Sequence, residues 1–362
     1  MENTALDLIE IQNQSITIRN FEQKEPSDID LTIELAKRIL GEFMSFRRVQ
    51  KLSDSCGDLY CIRCSSPHLS KAVLAIKRNE PVTFVLPAFP GKSPNLEKVF
   101  GPLPDYAEQL SLHFLGELCL RIKNYYSPGI KIILCSDGRV FSDLVGMKEC
   151  HVTDYQIELK KLIEEMSHSD IMTFNLDDFY GELNFGQMRD ELMKRYGNSL
   201  DFLKHKIKNG TNASASPEEQ EANRMYCGIT RFLFEDSIHP EQTKSRTAIQ
   251  KESRAKAYEV IRRSNAWSEL IAERFPEAVR LSIHPQTCGA KKLGIRLIGN
   301  ESWMTPWHGV AVETKSGFVL LKRSEAEALG AKLIYSSSGR PSHYVLSHKV
   351  VNEQNLSERG RV

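Results

Sequence analysis

Residues 82–95, VTFVLPAFPGKSPN, decide how this chain is read. Val82 to Val85 is a short apolar run with β-branched residues, which predicts a buried strand. Pro87, Pro90, Gly91 and Pro94 follow, so the chain neither continues as a strand nor starts a helix at once. Lys92 and Ser93 stand inside that stiff turn, a cation and a hydroxyl just beyond a strand end. Two readings are open for them: an anion-binding loop, or a rigid structural turn. The fragment GKS is not a nucleotide phosphate loop. That pattern wants Gly five positions before the Gly that precedes Lys, and Leu86 occupies the position.

Outward from this strand, apolar runs alternate with helical periodicity. Leu31 to Val49 predicts a helix behind Asp28 and Asp30, which suit N-caps, and Pro67 to Arg78 predicts a second. A third runs from Pro104 to Tyr126, with Pro at its start and acidic residues in its first turn. IKIILCS (130–136) and IMTFNL (171–176) read as strands, with helices near 154–167 and 186–196. Two more helices, near 221–236 and 247–274, lead to a strand at Val279 to Ile283 with His284 at its end. The short runs GIRLI, GVAVE and FVLLK follow at hairpin-like spacing and predict an antiparallel extension. A weak strand signal lies at Ser15 to Ile18. The small, polar segment 208–221 (KNGTNASASPEEQE) predicts a mobile loop.

This order predicts an α/β fold: a mostly parallel, Rossmann-like sheet with helices on both faces and a C-terminal antiparallel extension. Residues 1–78 read as a helical, cysteine-containing segment packed on a core formed by 79–350. In such sheets ligands bind beyond the carboxyl ends of the strands. Lys92-Ser93, Asp137-Gly138-Arg139, Asp177-Asp178 and His284 each follow an apolar run, so parallel neighbours would gather them on one rim. No GxGxxG stands at a strand end, which argues against a dinucleotide cofactor.

The bulk numbers narrow the field. A chain of 362 residues with 41% hydrophobic and 26% charged content buries a large core. A formal net charge of +1 gives no general field for nucleic acid or an anionic membrane. The first residues lack a signal-peptide pattern and no apolar stretch reaches membrane-span length, so a soluble cytoplasmic protein is expected. Most of the eight cysteines, such as Cys119, Cys135 and Cys227, sit in apolar segments. Cys56, Cys61 and Cys64 have a C-x4-C-x2-C spacing that echoes an iron–sulfur loop, and His68 offers a zinc alternative. With no fourth thiol in sight, no metal is expected.

Several residues carry two readings each. Arg139 suits bidentate binding of phosphate or carboxylate, or a surface ion pair beside an Asp-Gly turn. Asp143 stands four residues beyond it, at ion-pair spacing on a helix. Asp177 and Asp178 suit a helix cap. His284 suits general acid or base work. In Trp303-Met-Thr-Pro-Trp307-His308, two indoles and an imidazole around a proline suit an aromatic pocket wall. Lys292 precedes a short strand near His284.

In order, LPAFPGKSPN, LPDYAE, SDGRVFSD, RLSIHPQ with KLGIRLI, and TPWHGV resemble the isocyanide (isonitrile) synthase family, the pyoverdine/dityrosine biosynthesis proteins, over about residues 60–313. YCGITRFLFED, with Arg231, Glu235 and Asp236, fits that family's middle region. The resemblance implies that the α-amino group of tyrosine or tryptophan becomes an isonitrile. Ribulose 5-phosphate is the implied carbon co-substrate and no redox cofactor or metal is needed. It makes 79–350 the catalytic domain and the product a substrate for a downstream Fe(II)/2-oxoglutarate oxygenase. A formyl product of the dityrosine-precursor type, or a non-catalytic sugar-phosphate sensor, are the alternatives. Under this reading Lys92, Ser93 and Arg139 hold the phosphate, and Lys292 with Arg280 holds the amino acid carboxylate. Asp137, His284 and His308 move protons, with Asp143 nearby and Trp307 against the aromatic ring.

Overall fold

A five-stranded parallel sheet grows out of the apolar runs. The structure, a computed structural model, describes residues 28–50, 56, 61–167, 169–299, 302 and 304–346. The strand expected at Ser15 to Ile18 and the side chain of Trp303 lie outside them. The strands β1 (Val82–Leu86), β2 (Ile130–Cys135), β3 (Ile171–Phe174), β4 (Val279–Ser282) and β5 (Leu293–Gly294) pair in the order β3-β2-β1-β4-β5. Every pairing is parallel.

Side-chain alternation explains why helices cover both faces. Val82, Phe84 and Leu86 of β1 and Ile130, Ile132 and Leu134 of β2 enter one apolar cluster. Helices α1 (Asp28–Met44), α2 (Ile62–Lys77) and α3 (Tyr106–Lys123) close over that face. There Phe43 stacks on Phe84 with ring centroids 4.1 Å apart. Val85 and Cys135 point the other way, into a cluster with Val140 of α4 (Gly138–Val145). Helix α5 (Glu149–Glu165) joins the first face through Tyr155, Leu159 and Ile163. A strand that is apolar on both sides needs two covered faces, and here it has them.

Between β3 and β4 run the short α6 (Asp177–Tyr180), α7 (Phe185–Tyr196), α8 (Leu200–Asn209), α9 (Pro217–Asp236) and the long α10 (Arg246–Arg274). The segment predicted as a mobile loop is a shorter connection, 210–216, between two helices. Helix α8 runs to Asn209, and α9 opens at Pro217 behind a capping box in which Ser216 and Glu219 satisfy each other's backbone N–H. The Ser-Pro-Glu-Glu signature of a helix start outweighs the polar composition.

The C-terminal extension is a second sheet, β6 (Val310–Thr314), β7 (Gly317–Leu321), β8 (Lys332–Tyr335) and β9 (Pro341–Val345), with α11 (Arg323–Ala328) between β7 and β8. GVAVE and FVLLK form the expected antiparallel hairpin, whereas β6 and β9 pair in parallel. GIRLI does not join this sheet. Gly294 pairs with β4 in parallel, and Ile295 and Leu297 turn into the main core.

This topology fixes where a ligand can sit. From β1 the chain adds β2 and β3 on one side, then β4 and β5 on the other, so the order reverses between β1 and β4. A crevice opens at such a switch point, flanked by the loops after β1 and β4. The loop after β1 reaches that position because Gly138 has no side chain. A Cβ there would stand 1.8 Å from the carbonyl oxygen of Pro90 and 2.8 Å from Val152. Gly138→Ala is therefore expected to cost on the order of 3 kcal/mol or to prevent folding, since overpacking here displaces backbone. Gly228→Ala, in α9 with nothing within 4 Å of its Cβ, is expected to be neutral or stabilising by up to about 1 kcal/mol. Urea unfolding of both variants checks the contrast, and equal stabilities would count against the close approach.

Candidate active site

Lys92 does not reach into the crevice. Its ammonium is fully buried, 2.8 Å from Asp105 and 2.8 Å from Glu108, and donates to the Pro306 carbonyl at 3.0 Å. Burial works against its charge, but the two carboxylates outweigh it and hold its pKa above the ordinary lysine value. Burial pushes Glu108 up to about 7 despite the neighbouring ammonium, and Tyr155 donates its hydroxyl to that carboxylate at 3.2 Å. The phosphate role expected of Lys92 is thus replaced by a structural one. Ser93 is likewise committed: its hydroxyl donates to Asp236 at 3.2 Å, and its backbone N–H to the Trp307 carbonyl at 2.9 Å.

Asp105 and Glu108 come from LPDYAE, where Asp105 caps α3 and Glu108 completes the capping box. One ammonium therefore ties together LPAFPGKSPN, LPDYAE and TPWHGV. Trp307 is part of this scaffold rather than a pocket wall. It is 3% exposed and packs on Phe89 at 5.4 Å.

Arg139 and Asp143 do not pair. Arg139 lies against Asp177 at 3.1 Å, with its guanidinium over the Phe185 ring. Its Nε and Nη1 are buried without a hydrogen-bond partner among the described residues. Asp143 lies 2.6 Å from Arg263 and 3.5 Å from Arg189, and the Arg263 hydrogen bond and charge hold its pKa low against a burial that would raise it. Those contacts join α4 to α7 and α10, away from the crevice.

Four of the expected residues, Arg280, Lys292, His284 and His308, lie within electrostatic reach one of the next, and Asp137 stands on the same carboxyl rim of the sheet. Asp137 lies two residues beyond β2 and immediately before α4, and its side chain makes no cap hydrogen bond. Burial raises its pKa to about 7, opposed only by its own backbone N–H. Arg280, from β4, donates to the Ser268 hydroxyl at 2.6 Å and carbonyl at 3.0 Å. Lys292 donates to the same hydroxyl at 3.2 Å. Neither cation has a carboxylate within ion-pair distance among the described residues. Burial and the charge of Arg280 bring Lys292 down to about 8.

His284 follows β4 with its ring open to solvent yet walled in by protein, the environment of a recess. Burial, then Arg48 and Lys292, lower its pKa to about 4. His308 ends the short 3-10 turn Pro306–His308, packs edge-on against Phe232 at 4.8 Å, and has Nδ1 buried without a partner among the described residues. Burial lowers it to about 4 as well, with Lys98, Lys92 and His284 adding to the effect and Asp236 opposing it. The charges form a chain: Arg280 acts on Lys292, Lys292 on His284, and His284 on His308.

The rim thus combines a carboxyl that titrates near 7, two imidazoles that are neutral at that pH, and two cations that feel Glu269 only from beyond ion-pair distance. That set can bind an anionic group and pass protons to and from a bound substrate. A neighbouring cleft of about 190 Å³ between α4, α9 and α10 shares Asp236 but none of these five residues. Reading the sequence alone missed Ser268, which sits mid-helix with no motif, and Lys98, which pairs with Asp236 at 2.5 Å. Asp236 was visible in FLFED, but nothing signalled its partner.

Known proteins can be set against this geometry. The family profile described as "Pyoverdine/dityrosine biosynthesis protein" matches residues 73–334. The chain is 44% identical over 311 residues to the L-tryptophan isonitrile synthase AmbI2 of Fischerella ambigua, covering 86% of this chain and 91% of that one. It is 43% identical over 320 residues to an L-tyrosine isonitrile synthase of Pseudomonas aeruginosa, covering 86% and 94%. The crystal structure of the PvcA protein from Pseudomonas aeruginosa superposes with a TM-score of 0.80 at 42% identity, over 86% of this chain and all of that one.

The buried triad yields a test. Lys92→Met leaves two buried carboxylates without their cation and is expected to cost about 3–5 kcal/mol. Urea unfolding should also show the loss growing with pH. Glu108, already held above its unfolded value by burial, loses the ammonium that lowers it, so its folded pKa rises further and the loss relative to wild type grows as pH climbs past 7. A fully stable Lys92→Met protein with only weakened sugar-phosphate binding would restore the phosphate role.

Proposed function

The chain belongs to the pyoverdine/dityrosine biosynthesis protein family, the isocyanide synthases, and from that premise we propose that it is an isonitrile synthase acting on tyrosine or tryptophan. The observation that carries this reading is the chain of interacting residues Arg280, Lys292, His284 and His308 on the carboxyl rim of the sheet that Asp137 also occupies. The two relatives described above are named for isonitrile synthesis from those two amino acids.

Ribulose 5-phosphate is the proposed carbon donor. The substrate amine attacks the sugar ketone and water leaves as the imine forms. Enolisation, departure of phosphate and cleavage of both carbon–carbon bonds to the former ketone carbon then leave that carbon alone on nitrogen. Each stage moves protons, and none calls on a redox cofactor. Asp137, poised near 7, is assigned to the proton transfers at the imine and enol stages, with the neutral imidazoles of His284 and His308 as acceptors. Lys292, with Arg280 behind it, is assigned to the amino acid carboxylate, because a cation pair with no carboxylate in ion-pair contact is ready for an anionic group. Of the three residues first expected on the sugar phosphate, Arg139 alone keeps uncommitted donors.

Incubation with ribulose 5-phosphate labelled at its second carbon, together with tyrosine or tryptophan in separate reactions, tests the reading by mass spectrometry. A labelled isonitrile from one amino acid is expected. A labelled formyl product, or sugar-phosphate binding without turnover, would overturn it. Lys292→Ala is expected to raise KM for the amino acid about 10-fold or more while leaving KM for the sugar phosphate within a factor of about two. The rate should rise with pH to a plateau above about 7 as Asp137 loses its proton. Asp137→Asn should remove that limb and lower kcat by roughly 100-fold or more. Its sign on stability is opposite. The folded state keeps a proton that the unfolded chain releases near pH 4, so Asp137 costs stability between about pH 4 and 7, and the Asn variant should resist urea better at pH 8.

A further inference from the structure

Cys56, Cys61, Cys64 and Cys288 come together at the outer side of the loop that carries His284 and Lys292, and nothing in the proposed chemistry uses them. Their four sulfurs all lie within 4.8 Å of one another. Three of the separations are 3.4 Å (Cys56–Cys64), 3.6 Å (Cys61–Cys288) and 3.6 Å (Cys64–Cys288). Four thiolates around one zinc at about 2.3 Å stand about 3.8 Å apart, the edge of a tetrahedron. The observed spacing therefore matches a mononuclear site. A cluster of several irons places sulfide-bridged metals between the thiols and spreads them wider.

The missing fourth ligand explains why the sequence argued against a metal. Cys288 lies 224 positions beyond Cys64, and no local spacing announces it. His68, the ligand imagined from sequence, is buried on α2 and lies outside the group. The surroundings suit thiolates. The Gly289 amide is a hydrogen-bond donor to Cys64, the orienting contact that metal-bound sulfur usually has. Gly289 has a φ of +79°, so its amide turns back over the sulfurs in a conformation that favours glycine. Arg47 donates to the Cys56 carbonyl at 3.3 Å, which places the first thiol.

We propose that these four cysteines form a structural zinc site, a closed tetrahedron of four thiolates that staples the start of α2 to the loop between β4 and β5. The chemistry of the donor set supports zinc: four soft thiolates in a tetrahedron select zinc over the harder divalent ions, and a fully ligated ion has no open position for substrate. The staple also accounts for an arrangement that hydrogen bonds alone hold thinly. Residues 283–292 carry His284 and Lys292 across the crevice, yet β5 has only two residues. Among the described residues, the one strand-like bridge from this loop to the chain before the cysteines is Val49–Gln286. Cys288 lies between His284 and Lys292, so a metal there fixes the loop at its middle.

Inductively coupled plasma mass spectrometry of the full-length chain, purified under reducing conditions without chelator or metal-affinity steps, tests the site. About one zinc per chain is expected. Cys64→Ser and Cys288→Ser should each reduce that to below about 0.1 per chain, while Cys150→Ser, an exposed cysteine outside the group, should leave it unchanged. If the Ser variants do not fold, protein produced with cobalt in place of zinc still decides the matter, because tetrahedral thiolate-bound cobalt gives intense visible absorption. Wild-type protein with no zinc, no cobalt spectrum and four freely alkylated thiols would overturn the proposal. So would stoichiometric iron with a charge-transfer spectrum.

Discussion

The buried ammonium of Lys92 is the constraint from which the rim of this sheet is built. It is held from four places at once: by Asp105 and Glu108 at the start of α3, and by the carbonyls of Pro306 and Gly309. A lysine with no exposure survives only where such partners are supplied, because an uncompensated charge in that position costs several kcal/mol. Three loops far apart in sequence are consequently pinned to one point. With them come Phe89 and Trp307, whose contact fills the space beneath the loop after β1. The same turn delivers His308 to the crevice, since it follows Trp307 directly.

That arrangement separates two kinds of charge. The scaffold cations, Lys92, Lys98 and Arg189, each have a carboxylate at close range. Around the crevice the pattern inverts. Arg280 and Lys292 rest on one serine hydroxyl and on no carboxylate among the described residues, and Asp137 has no cation beside it. Unpaired charge on both sides of a recess is costly for folding and persists where a ligand uses it. The perturbed values follow from burial: Asp137 rises to about 7 and Lys292 falls to about 8, both toward neutrality, while His284 and His308 fall to about 4, which leaves their imidazoles uncharged.

Much of this was legible in the sequence, and what was not has identifiable physical causes. Strand positions followed from short apolar runs, and parallel order from their alternation with helices, so the shared rim of Asp137 and His284 could be foreseen. Which side chain turns into the rim could not. Lys92 and Ser93 stand on the right loop but face inward, because Asp105, Glu108 and Asp236 arrive from other parts of the chain. Local spacing placed Asp143 opposite Arg139, yet Arg263 and Asp177 intercept the two partners. The polar segment 208–221 was drawn too wide because composition was weighed above the helix-start signature at Ser216. Cys288 was invisible as a fourth thiol because a tertiary cluster leaves no periodicity in sequence.

The long motifs shared with the isocyanide synthases are therefore not a list of residues that touch substrate. In LPAFPGKSPN and LPDYAE the charged residues satisfy each other, and the glycine of SDG makes room for Pro90. TPWHGV supplies carbonyls to the ammonium, an indole to the core and a single imidazole to the crevice. A motif in this fold marks where loops must meet. Chemistry is left to the few members whose side chains the scaffold leaves unsatisfied. That distinction follows from burial and pairing, residue by residue: a charged group with every partner in place holds the structure, and one denied a partner is available to a substrate.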